Sequence, residues 1–203
     1  MVHIFSDYNF ILASQSPRRQ QLLRDMGIPF SVAHINVEEI FPSHLEEQDI
    51  ALYLCELKAN AFDTASLSKN TILITADTIV WAKGKYWGKP QNKQQAIDML
   101  KELSGNTHQV YSGVCLKNNE KTVSFYESTS VTFSALTMQE IEYYTDTYKP
   151  YDKAGAYGIQ EWIGYIGIEK IEGCYYNVMG FPTHAFYNQL KKFIFAENNL
   201  NRR

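Results

Sequence analysis

Thr71-Ile72-Leu73-Ile74-Thr75-Ala76 is an unbroken run of β-branched and apolar residues that ends at Asp77-Thr78. A run that is continuous, with no polar alternation, predicts a strand covered on both faces, the pattern of a central strand packed between helices. Upstream, Phe10-Ile11-Leu12-Ala13 is a shorter run of the same kind, and Phe30 to Ile35 reads as another strand. Between these two, Ser16 and Pro17 supply an N-cap and a first-turn proline, Leu22, Leu23 and Met26 share one helical face, and Gly27 supplies a stop. A second helix is predicted from about Asp49 to Phe62, with Leu54, Leu57 and Ala61 on one side. This alternation of strands and helices predicts an α/β fold with mixed α+β character.

Downstream, Ile79 to Ala82 and Tyr86-Trp87 flank Lys83-Gly84-Lys85, a hairpin turn. Asn92 caps a helix carrying Ala96, Ile97, Leu100 and Leu103, with Gly105 after it. Two long strands, around 107–117 and 121–134, are joined by Asn118-Asn119, and Thr137 with Glu140 has capping-box spacing for a helix to about Tyr148. Glycines from Gly155 to Gly180 crowd the next stretch, where they permit close backbone approach. Pro182 opens a last amphipathic helix using Phe186, Leu190, Phe193 and Ile194, and residues 1–8 and 198–203 read as loose ends.

At 203 residues, 45% hydrophobic and 20% charged, the chain has the matter for one cored domain and not for a disordered one. Nineteen basic against 22 acidic residues give −3, which argues against a nucleic-acid binder held by bulk phosphate neutralisation while leaving room for a small basic pocket. No apolar run reaches the ~18 residues of a membrane span. The first sixteen residues lack a basic start and carry Asp7, against a signal peptide. Cys55, Cys115 and Cys174, three in number and far apart, predict reduced thiols in a cytoplasmic protein.

Three places could carry chemistry. In Ser14-Gln15-Ser16-Pro17-Arg18-Arg19 a strand end turns into a helix N-terminus, whose N–H groups suit an anion. Arg18 and Arg19 oppose the helix dipole there, so they either grip a polyphosphate bidentately or form an ordinary solvated pair. Asp77, at the end of the central run, either holds a divalent metal and activates water or starts a turn. Glu38-Glu39 either supply Mg²⁺ oxygens or are a solvated acidic loop. Lys58 and Lys89 could each neutralise phosphate. Gly84 to Lys89 spells G-x-x-x-G-K where a P-loop needs G-x-x-x-x-G-K-[ST] followed directly by a helix, so it is not one, and no G-x-S-x-G elbow or H-x-x-x-H pair is present. Cys174 has no supporting motif and reads as structural.

Taken together these pieces resemble the Maf family of nucleoside triphosphate pyrophosphatases over roughly residues 10–190. The resemblance is carried by Leu12 to Arg19, Lys58-Ala59, Ala76-Asp77-Thr78, Gly88-Lys89-Pro90, Leu103-Ser104-Gly105, Asp152 to Gln160 and Tyr175 to Pro182, in the family's order and spacing. It implies a single Maf-like domain over 1–203, a central twisted mixed sheet flanked by helices, two lobes around a nucleotide-binding cleft, and a homodimer. It also implies hydrolysis of a nucleoside triphosphate to the monophosphate and pyrophosphate with a divalent metal, Mg²⁺ or Mn²⁺. By position, Asp77 resembles the family's proton acceptor, and Ser14, Arg18, Arg19, Lys58 and Lys89 its phosphate grip. Asp77 and Glu39 would hold metal, with Glu38 the adjacent alternative. Arg18, Thr78 and Gln160 match positions tied to substrate choice.

The stretch Asp152 to Gln160 is similar to the branch acting on dTTP and UTP; the branch acting on 7-methyl-GTP differs there. A Gln160 amide, both donor and acceptor, matches the N3–H and carbonyl edge of uracil or thymine. Two positions depart from the family pattern: Thr75 stands where Gly is usual, and Glu161 and Trp162 follow Gln160 where a small residue is typical. Thr75 would tighten the backbone behind Asp77, and Glu161 would add negative charge near the base. The rival readings are a non-catalytic nucleotide-sensing regulator of division and a nucleic-acid binder recruited through Arg18-Arg19. The first is disfavoured by the intact Asp77 and basic set, the second by the charge of −3 and the lack of a basic stripe.

Overall fold

The computed structural model describes residues 5–63 and 67–200, the last five of these by their backbone alone. It is a mixed α/β fold in which helices flank a twisted sheet, and the chain divides into two compact units.

The first unit comprises Met1–Asp77, Ser112–Glu127 and Gly180–Arg203. It contains β1 (Asn9–Leu12), α1 (Pro17–Asp25), β2 (Ser31–Val32), α2 (Glu47–Asn60), the first half of β3 (Thr71–Ala82), the adjoining halves of β5 (Thr107–Lys117) and β6 (Thr122–Phe133), and the C-terminal helix α7 (Thr183–Leu200). β1 lies parallel between β2 and β3, with Phe10 opposite Ile72 and Leu12 opposite Ile74. Parallel strands need cover on both sides. On one side Phe10 meets Phe5, which meets Tyr187 of α7, both edge to face. On the other, Ala13, Leu73 and Cys115 cluster with Cys55 and Ala59 of α2.

The sequence reading needs five corrections here. The strand through Thr71–Ala76 does not end at Asp77; it continues unbroken to Ala82 because Thr78, Ile79 and Val80 extend the β-branched run and Asp77 spends its carboxylate elsewhere than on a turn. The strand expected over Phe30 to Ile35 pairs only at Ser31 and Val32. The second helix runs Glu47–Asn60 and buries Ile50, Ala51, Leu54, Cys55 and Ala59, leaving Ala61 exposed. Of the loose N-terminal stretch, Phe5 is buried under α7, while residues 1–4 lie outside the described residues. At the other end the tail expected to be loose from Asn198 is helical as far as Leu200, where α7 ends, and residues 201–203 lie outside the described residues.

The second unit comprises Thr78–Tyr111 and Ser128–Met179. The end of β3 turns at Lys83-Gly84, both at positive φ, into antiparallel β4 (Lys85–Trp87), the twist-matched hairpin turn. Next come α3 (Lys93–Leu103), capped by the Asn92 side chain, the long β5 (Thr107–Lys117) and β6 (Thr122–Phe133), and α4 (Met138–Tyr148), with a complete Thr137–Glu140 capping box. α5 (Trp162–Gly167), β7 (Ile168–Glu172), antiparallel to β6, and α6 (Tyr175–Met179) close the unit. Its core joins Val80, Leu100, Phe133, Tyr144, Tyr157 and Ile163. Asn177 of α6 is fully buried and its amide donates to the Val110 carbonyl at 3.0 Å and to Thr129 Oγ1 at 2.9 Å, bridging β5 and β6.

His108 is buried in this core, stacked on Phe133 and hydrogen-bonded through Nε2 to the Tyr157 hydroxyl at 2.8 Å. Burial lowers its pKa to about 4. The folded protein therefore keeps His108 neutral where the unfolded chain protonates it, so stability is full above pH 6.5 and falls as pH drops towards 4. Over that window His108 should account for a loss of about 3 kcal/mol. Urea unfolding of wild type and H108Q should show the gap between their stabilities closing by that amount between pH 6.5 and 4. Parallel curves would place the acid sensitivity elsewhere.

Candidate active site

Side chains of a strand alternate between faces, so Leu73, Thr75 and Asp77 of β3 all point to the α2 side. On α2, Cys55, Lys58 and Ala59 share a face at helical spacing. The two patterns meet residue by residue. Leu73 packs with Cys55 and Ala59, the Thr75 hydroxyl donates to the Cys55 carbonyl at 2.6 Å, and Lys58 Nζ makes an ion pair with Asp77 Oδ1. Asp77 is 7% exposed, and the Lys58 stem is nearly as buried. The same ammonium meets Glu39 Oε1 at 2.9 Å, from the loop between β2 and α2. Of the adjacent acids, Glu39 is therefore the one on Lys58.

α2 is brought this close by Gly113 on β5, where a Cβ would stand 2.4 Å from the Ala51 carbonyl oxygen. Lys117, further along β5, donates to the Ala59 carbonyl and the Asn60 side chain at the C-terminal end of α2, where a cation is favoured. Burial pushes the Cys55 thiol well above its ordinary range, so it stays protonated and puts no thiolate in competition with Asp77 for Lys58.

The loop from β1 into α1 brings the remaining first-unit candidates. Ser16 caps α1 by accepting from the Arg19 N–H, and the Ser14 hydroxyl accepts from the Ser16 N–H at 3.3 Å. The Arg19 guanidinium donates through Nε to the Gly180 carbonyl at 2.9 Å. Burial lowers the Arg19 pKa from its ordinary value, while Asp77 acts to raise it, Arg18 to lower it and Glu39 to raise it. Ser14, Arg18, Arg19, Glu39, Lys58 and Asp77 thus belong to one unit, with the Asp77 and Glu39 charges acting on Arg19.

Thr78, Lys89 and Gln160 belong to the second unit. Lys89 is exposed in the loop after β4, and that loop is tied to the Asp152–Gln160 segment by the Gly155 N–H donating to the Gly88 carbonyl at 3.1 Å. Gln160 Oε1 is buried with no hydrogen-bond partner among the described residues. Glu161 does not add uncompensated charge beside it, as its position in the sequence suggested. Its carboxylate is 3.0 Å from Lys153 Nζ and accepts from the Tyr144 hydroxyl. Sequence reasoning missed Tyr144 and Lys153 as partners; the Thr75 hydroxyl was visible as a departure but its acceptor on α2 was not.

A divalent cation fits the carboxylates. Glu39 and Asp77 already converge on one cation, the Lys58 ammonium, and supply the hard oxygens that Mg²⁺ takes from one or two side chains alongside phosphate. No group of three or more His, Cys, Asp or Glu is gathered for a metal among the described residues, so an all-protein cage is not part of this arrangement.

The model of the family described as Maf-like protein matches residues 9–193, a range that takes in Ser14, Arg18, Arg19, Glu39, Lys58, Asp77, Thr78, Lys89 and Gln160. The chain belongs to the Maf family. Among its relatives in that family, a dTTP/UTP pyrophosphatase of Porphyromonas gingivalis is 47% identical over 195 residues, which is 95% of this chain and 98% of that one. Proteins of the same description from Flavobacterium johnsoniae and Bacteroides thetaiotaomicron are 49% and 47% identical, over 90% and 91% of this chain and 94% and 96% of theirs. This Maf-family chain is thus matched over nearly its whole length.

K58M leaves the buried Asp77 carboxylate without its ion pair and should cost about 3 kcal/mol of stability in urea unfolding. Adding D77N to K58M should recover part of that loss, because the uncompensated charge is gone. Costs that simply add would show that the two side chains are not energetically coupled.

Proposed function

We propose that this Maf-family protein is a nucleoside triphosphate pyrophosphatase that hydrolyses dTTP and UTP to the monophosphate and pyrophosphate. The observation that carries this reading is the buried Asp77 carboxylate held against Lys58 beside Arg19, on a chain 46–49% identical to proteins named dTTP/UTP pyrophosphatase.

In this reading the triphosphate is gripped by Ser14, Arg18, Arg19, Lys58 and Lys89. Arginine suits the task because its planar fork meets phosphate oxygens two at a time, and the N–H groups opening α1 favour an anion. Lys58 exchanges its carboxylate partners for phosphate oxygen, which releases Asp77 to accept a proton from water. The deprotonated oxygen attacks phosphorus in line, and pyrophosphate departs. Positioning and charge neutralisation supply most of the acceleration in such chemistry. Asp77 and Glu39 would hold a Mg²⁺ or Mn²⁺ on the protein side, which would supply further neutralisation of the phosphate charge.

The base is read, with Arg18 and Thr78, by Gln160. Its buried Oε1, with no partner among the described residues, supports this, since an acceptor left without a donor suits the N3–H of uracil or thymine while the amide nitrogen donates to a ring carbonyl. The same reading gives one catalytic domain spanning the chain, acting as a homodimer in the cytoplasm with no nucleic-acid or membrane partner.

D77N keeps the shape and removes the proton acceptor. With Mg²⁺ and UTP it should lose at least about 100-fold in turnover, the scale of general-base catalysis, while binding UTP within a few-fold of wild type in calorimetry. Turnover near wild type would overturn the role of Asp77. In a panel of triphosphates with product analysis, wild type should release pyrophosphate from dTTP and UTP above all others, and release of orthophosphate would contradict the reaction. Q160A should shrink the UTP-over-GTP ratio of kcat/KM by about 10-fold or more, the effect of losing a base-edge hydrogen-bonding group.

A further inference from the structure

The Gln160 side-chain oxygen is buried with no hydrogen-bond partner among the described residues, so it is not the oxygen that holds this amide in place. What places the amide is the backbone that carries it, and that backbone is held from the next residue. The Glu161 side chain is mostly buried, and both its carboxylate oxygens are engaged. One accepts from the hydroxyl of the fully buried Tyr144, and that hydroxyl in turn accepts the Gly158 N–H at 3.0 Å. The other lies 3.0 Å from Lys153 Nζ, which also meets Asp152 at 2.7 Å. Lys153 itself is 8% exposed. The Glu161 N–H closes the loop on the Gly158 carbonyl at 3.0 Å.

One carboxylate therefore ties down the segment at Lys153, at Gly158 through Tyr144, and at its own position. The fit is tight. A Cβ at Gly158 would stand 2.8 Å from Glu161 Cδ and 3.0 Å from Lys153 Cε. Burial and the bond to Glu161 push the Tyr144 hydroxyl far above its ordinary range, so it remains a donor to the carboxylate throughout the working pH range. A small residue at 161 would leave a buried hydroxyl without its acceptor and Lys153 with Asp152 alone, and such unmade partners are costly.

We infer that Glu161 is a positioning residue for base selection: by bonding Tyr144 and Lys153 it fixes the 153–161 segment so that Gln160 presents its amide in one orientation. The inference rests on the reading of Gln160 as the reader of uracil and thymine. Glu161 touches neither the phosphates nor water in this account, so its loss acts on discrimination and not on the chemical step.

The test is steady-state kinetics of the full chain with Mg²⁺ on UTP, dTTP, GTP and CTP, for wild type, E161Q, E161G and Y144F, with thermal melts alongside. E161G and Y144F should each lower the UTP-over-GTP ratio of kcat/KM by about 10-fold, mainly through a higher KM for UTP, with kcat within a few-fold. E161Q, which keeps an acceptor for Tyr144 but not the charge for Lys153, should fall between them and wild type. Should E161G fail to fold, Y144F and E161Q still decide the matter. An unchanged ratio in folded variants, beside a wild type that does prefer UTP and dTTP, would overturn the inference alone. A wild type without that preference would overturn the reading of Gln160 and the inference with it.

Discussion

An ammonium group wedged between two carboxylates is the constraint around which the first unit is organised. Asp77 is buried, and moving a lone carboxylate out of water costs several kcal/mol even after relaxation. Lys58 answers that cost, and Glu39 completes the triad from a loop that has no regular structure to hold it. Everything that seats α2 on β3 and β5 therefore also sets the charge pattern: the Thr75 hydroxyl on the Cys55 carbonyl, the hydrogen-only side chain of Gly113, and the Lys117 ammonium at the end of α2.

Much of this was legible in the sequence, for physical reasons that can be named. The continuous run Thr71 to Ala76 gave a central strand because only a strand covered on both faces tolerates that composition. The Ser16-Pro17, Asn92 and Thr137–Glu140 signals located three helix starts because capping is local chemistry, satisfied within four residues. The place where β3 ends was not legible. An aspartate after a β-branched run is a turn signal in isolation, and only the distant Lys58 makes it a mid-strand residue. The second strand and the buried face of α2 were misjudged for a related reason: pairing length and helix rotation are decided by neighbours far away in sequence.

The candidate residues show the same division. Period-2 alternation could have placed Thr75 and Asp77 on one face, and helical spacing could have placed Cys55 and Lys58 on another. That the two faces meet is a tertiary fact. Glu161 is the sharper case. Read along the chain it is one more acid beside Gln160; in the fold it is neutralised by Lys153 and bonded by Tyr144, seventeen residues before it. Charge counted along a chain says little about charge felt at a site.

The seat of α2 against Gly113 has a bearing on how this protein can change. Filling glycines with alanine is an ordinary route to a sturdier chain, yet at this position a methyl group would strike the Ala51 carbonyl head-on and lever outward the helix that carries the cation. Sturdiness and electrostatic alignment compete at that one carbon, so lineages drifting toward heat tolerance should find their gains in the surface turns and leave this contact bare.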